Sequence, residues 1–138
     1  MIEGLMGAAF GALTIVVARI IRGERWVYSI GLLSLPSLYA LFALRAGEPA
    51  LALKEMLYGI PFLAAGVVFT FASVRHSAVM VGALWIAHGV FDLTQDRFLP
   101  NPGVPTWYPV WCGAVDVVIG AYLIWLSPRV HEGNIRVA

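Results

Sequence analysis

The chain has 138 residues, 60% hydrophobic and 12% charged, with mean hydropathy +0.83; a soluble domain carries about twice that charged fraction. Nine Lys and Arg against eight Asp and Glu leave no basic surface for nucleic acid, and a single cysteine excludes an internal disulfide. The class implied is an integral membrane protein.

A bilayer core of about 30 Å needs roughly 20 apolar helical residues per crossing, and about 17 suffice. Five stretches qualify, at about 4–21, 26–44, 54–74, 77–93 and 107–126. They predict one all-α domain, a bundle of five transmembrane helices. The first has no basic leader and reads as a retained helix rather than a cleaved signal. Its Gly7 and Gly11 offer a small-residue face to a neighbouring helix. Pro36 and Pro61 sit inside the second and third spans, where each deletes one helix hydrogen bond. The alternating runs of an outer-membrane barrel are absent. The longest link, TQDRFLPNPGVPT, holds three prolines and is not helical throughout.

Basic residues near span ends set orientation. Arg19, Arg22, Arg25, Arg75, Arg129 and Arg136 fall on one side; Arg45, Lys54 and Arg97 fall on the other. The expected topology has the N-terminus outside and the C-terminus in the cytoplasm, across the cell (cytoplasmic, or inner) membrane.

Ionisable residues inside the fourth and fifth spans carry the chemical argument. Residues four apart share a helix face, so Trp85, His88, Asp92 and Gln95 form one stripe, and Tyr108, Cys112, Asp116 and Gly120 another. At 1.5 Å per residue His88 lies about 10 Å and Asp116 roughly 13 Å inside the outer ends of their spans. Neighbouring antiparallel helices then set His88 against Asp116, and Asp92 against Cys112. Glu55, with Tyr58 and Phe62 on its face, enters the third span at the same end, and Glu3 begins the first there. Asp96 is expected to cap a helix or meet headgroups. A mid-span aspartate costs about 2.5–3.5 kcal/mol on insertion scales, so the charge must be offset by pairing, a proton, a cation or water.

At HGVFD and WYPVWCGAVDVVIGAYL the sequence resembles a group of small bacterial multi-pass membrane proteins classed as a domain of unknown function. In that group a helix carries H-x-x-x-D, usually followed by a histidine pair, then a proline-bearing loop and a helix with C-x-x-x-D. His88 and Asp92 match the first element, Cys112 and Asp116 the last; Gln95 and Asp96 stand where the histidine pair falls. The resemblance covers about the last third of the chain and implies a shared site without naming a reaction. The five spans and WYPVW also look like the tryptophan-rich sensory proteins, by analogy alone.

The leading expectation is a membrane-embedded enzyme or binder acting on an amphipathic, lipid or isoprenoid-like small molecule. Its catalytic candidates are His88, Asp92, Asp116 and Glu55, with Asp116 as general acid and the His88–Asp92 pair as general base. Trp85, Tyr58, Phe62, Tyr108, Trp111 and Cys112 are expected to line an outer-half cavity. Isomerisation, cyclisation and hydrolysis all suit such a set. A metal-dependent enzyme is the first alternative: His88, Asp92, Cys112 and Asp116 are compatible with Zn²⁺ or Fe²⁺. A small proton-coupled transporter or channel, completed by a homo-oligomer, is the second. Membrane lipid and a hydrophobic small molecule are the expected partners.

Overall fold

The computed structural model describes residues 1–71 and 74–133. Its helices are α1 (Ile2–Ile20), α2 (Glu24–Arg45), α3 (Pro49–Phe71), α4 (Val74–Thr94) and α5 (Tyr108–Gly133), with a 3₁₀ turn at Gln95–Arg97. Each α-helix contains a segment long and apolar enough to cross a membrane, as in a multi-pass helical bundle. Of the basic residues used for orientation, the side chains of Arg25, Arg75 and Arg129 and all of Arg136 lie outside the described residues.

Two boundaries differ from expectation for local reasons. The third span starts at Pro49 rather than 54, because proline in a first turn forfeits no helix bond and the Glu48 carbonyl already accepts from Ala52 N. Val74 begins α4 instead of ending the third span, so Arg75 and His76 fall in the first turn of α4 and do not form a link; Ala72 and Ser73 lie outside the described residues. The turn after α2 is made by Gly47 at φ +81. There Glu48 N donates to Ala43 O at 2.9 Å, the left-handed closure that glycine favours.

Small residues decide which helices meet. The antiparallel α4 and α5 share the most extensive interface. A Cβ on Gly82 would stand 2.7 Å from Gly120 O, and one on Gly89 3.0 Å from Gly113 O. Both helices thus carry glycines seven residues apart, a repeat that keeps them on one face. Helices α2 and α3 pack closely, with Pro36 seated where Gly59 has no side chain. Helix α1 buries only Gly7, Gly11 and Ala18, the first two against the backbone of α5 at Trp111 and Val115. Helices α1 and α2 touch little despite their short link, and the bundle is open between them.

Candidate functional site

The N-terminal end of α5 and the C-terminal end of α4 lie together. His88 Nδ1 is 2.8 Å from Asp116 Oδ2 and 3.5 Å from Asp92 Oδ2. Asp116 is fully buried and the other two are 2% exposed. The ring of Phe62 from α3 meets the His88 imidazole edge-on, 5.0 Å between centroids, closing the trio from that side. The four-residue spacing on α4 brings Asp92 near His88, but the shorter contact crosses to α5. The expected His88–Asp92 pair is therefore the weaker of the two.

Asp92 has another partner. The Tyr39 hydroxyl from α2 donates to Asp92 Oδ1 at 2.8 Å, while Tyr39 O accepts from Asn101 Nδ2 at 3.1 Å. Asn101 Nδ2 also donates to Glu55 Oε1 at 2.9 Å, as does Gln95 Nε2 at 2.7 Å. The structure thus places Glu55 in a neighbouring polar cluster, bonded to neutral amides, and Tyr39 links that cluster to the trio. Asn101 Oδ1 accepts from Gly103 N, and the Gly103 backbone lies against the Phe42 carbonyl, where a Cβ would have no room. The loop after α4 consequently folds back over the end of the bundle.

A cleft of about 210 Å³ runs along α1, α2 and α5 on the other side of the trio. Asp116, Trp85, Tyr108, Trp111 and Cys112 line it, together with Tyr28 and Gly31 of α2 and Phe10 and Thr14 of α1. Gly31 lets α2 approach the Trp85 indole; a Cβ there would stand 2.6 Å from the ring. Among the described residues, the buried side-chain polar atoms without a hydrogen-bond partner are Tyr28 OH, Trp85 Nε1, Asp92 Oδ2 and Asp116 Oδ1. Three of those atoms belong to residues of this cleft.

Of the expected cavity residues, Trp85, Tyr108, Trp111 and Cys112 stand together at the cleft, and Phe62 packs on His88 instead. Tyr58 does not join them. It is 56% exposed, because α3 turns Glu55, Gly59 and Phe62 inward and leaves Tyr58 on the outer face. Cys112 also departs from the four-ligand set, its thiol lying 3.8 Å from the Tyr108 hydroxyl. The group able to hold a metal is His88, Asp92 and Asp116, whose ligand atoms lie within 4.8 Å of one another. Asp96 is exposed, as a helix-end residue should be. Glu3 pairs with the N-terminal amine at 3.0 Å.

Sequence reasoning missed Tyr39, Tyr28 and Asn101. A tyrosine in a span reads as an interfacial aromatic and an asparagine between prolines as a turn former, so neither announced a partner. The seven-residue glycine spacing in both spans was the readable signal that α4 and α5 meet along the face bearing His88 and Asp116.

Two electroneutral arrangements of one buried imidazole and two carboxyl groups bear on chemistry. The trio can hold an imidazolium, one carboxylate and one carboxylic acid, or a neutral imidazole and two carboxylates around a divalent cation. The first is an acid–base device and the second a metal centre. No protein-family model, curated protein or solved structure matches this chain, so the site is read from its own geometry.

Proposed function

We propose that the protein is a membrane-embedded acid–base enzyme for an amphipathic, lipid-soluble small molecule that reaches Asp116 through the cleft between α1 and α2. The observation carrying this reading is the double position of Asp116. It is bonded to His88 through Oδ2, it lines the cleft, and its Oδ1 has no partner. A proton shared between His88 and Asp116 stands beside the space a ligand would enter, and Asp92, held by Tyr39, stands close behind the imidazole.

Isomerisation is the reaction class that fits best. A carboxylate takes a proton from one atom of the ligand and the imidazolium–carboxyl pair returns one to another. The composition of the ligand is unchanged and no co-reactant is consumed. Aromatic side chains along the cleft would stabilise positive charge developing during proton addition. In this reading the N-terminus faces outside, as the distribution of Lys and Arg supports. The site then lies in the outer half of a cytoplasmic membrane.

Deuterium exchange tests the proposal directly. Purified protein in nanodiscs is incubated in D₂O with an isoprenoid-rich total lipid extract, and the lipids are recovered for mass spectrometry. The expected result is deuterium on carbon in a lipid species with wild type and none with Asp116→Asn. Failure of wild type to label any lipid would end the acid–base reading.

A metal-dependent enzyme is the second reading, favoured by one ligand atom each from His88, Asp92 and Asp116 within 4.8 Å of one another and by the unpartnered Asp92 Oδ2 and Asp116 Oδ1. Zn²⁺ and Fe²⁺ both accept one nitrogen and two carboxylates. Binding would displace protons, so affinity would fall in acid. Stoichiometric metal after reconstitution, lost on Asp92→Asn, is the result that supports it.

A further inference from the structure

The cleft has features that narrow its ligand beyond the acid–base reading, on which this inference rests. Among the described residues no Lys or Arg lines it, and the one acid on its wall has a second carboxylate close behind the shared imidazole. A phosphate or carboxylate headgroup would meet two acids in a low-dielectric site without a cation to offset it. An ammonium would add a further charge where His88 already serves the carboxylates.

The unpartnered atoms state what is wanted instead. An indole Nε1 can only donate, and a carboxylate oxygen can only accept. Trp85 and Asp116 present one of each. Both residues line the cleft. A hydroxyl accepts from one and donates to the other through a single oxygen. A ketone or ether answers the indole alone.

Size and shape supply the rest. Pockets for drug-sized ligands run about 300–1,000 Å³, and this cleft has about 210 Å³. It is nonetheless long: its α5 wall extends from Tyr108 to Ile119, about 16 Å at helical rise. A narrow trough of that length suits one chain and not a diacyl lipid. At its rim Phe10, Ser34 and Leu38 are exposed, so a tail can continue outward between α1 and α2.

We infer that the cleft takes an uncharged, single-chain lipid alcohol, with its hydroxyl between Trp85 and Asp116 and its chain lying along α2 and α5. The Tyr28 hydroxyl, at the far end of α2, is the remaining donor for a second oxygen on a longer ligand.

Binding in nanodiscs tests this, read as displacement of 10-bromo-1-decanol, whose bromine quenches tryptophan emission. The competitors are 1-decanol, 2-decanone, decyl methyl ether, decanoate, decylamine and decane. Decanol should compete at least ~10-fold better than the rest, the difference of about one good hydrogen bond. Trp85→Phe, which removes the donor and keeps an aromatic ring, should remove most of that preference. Ser34→Phe, at an exposed rim position, should weaken every competitor by a similar factor without disturbing the fold. Equal or better competition by the ketone, the amine or the carboxylate overturns the inference, as does an unchanged preference in Trp85→Phe. The two readings fail separately. Deuterium exchange into lipids without alcohol selectivity sinks only this one, and alcohol binding without exchange sinks only the acid–base reading.

Discussion

His88 and Asp116 tie α4 to α5 through a 2.8 Å contact between Nδ1 and Oδ2, at the level where Gly89 and Gly113 bring the two backbones together. The interface and the candidate chemistry therefore share the same residues, and stability measurements report on both.

The pair should be strongly coupled. His88→Ala or Asp116→Ala alone strands a buried group and should cost about 3–5 kcal/mol of unfolding free energy. The double variant should lose less than the sum by about 1–3 kcal/mol. Denaturation in detergent micelles measures all three; additive losses would show that the contact carries no coupling.

Amide replacements separate function from support. Asp116→Asn and Asp92→Asn keep the shape and one acceptor oxygen while removing the charge. Relieved desolvation should leave thermal stability unchanged or raised, and deuterium exchange should disappear. Should both variants unfold the bundle, the trio is a structural polar knot.

Tyr39→Phe removes the donor to Asp92 Oδ1 and leaves a carboxylate oxygen buried without its partner. A loss of about 1–3 kcal/mol follows. By contrast Glu55→Gln, whose amide oxygen still accepts from Gln95 and Asn101, should stay within about 1 kcal/mol of wild type. Thermal unfolding of the two variants in the same detergent gives the comparison.

Helix α1 is held by its small residues. Gly7→Ala drives a methyl group into the Trp111 carbonyl and should destabilise by about 1–3 kcal/mol. Gly4→Ala, whose Cβ would meet Val110 at 3.7 Å, should be tolerated. Cross-linking between α1 and α5 would show the same contrast, lost in the first variant and kept in the second.

How much of this was legible in the sequence differs by element. Five helices followed from apolar length alone, and the four-residue spacing of Asp92 after His88 and of Asp116 after Cys112 marked the faces that matter. Relative depth, from residue counts, set His88 opposite Asp116 as the coordinates do. What could not be read was which other helices supply partners. A hydrophobic span has no polar face to orient it, so nothing in α2 distinguished Tyr39, which points at Asp92, from Tyr58 of α3, which points away. Glu55 stands in the neighbouring cluster for a related reason: Gln95 and Asn101 donate to its oxygen.

The cleft between α1 and α2 has a thermodynamic corollary. Under the proposed function the ligand reaches Asp116 through the cleft from within the membrane, so its governing concentration is moles per lipid rather than moles per litre of buffer. Adding empty vesicles at constant protein and solute should then weaken occupancy as though the sample had been diluted, and enlarging the aqueous volume should scarcely change it for any solute that partitions almost wholly into lipid.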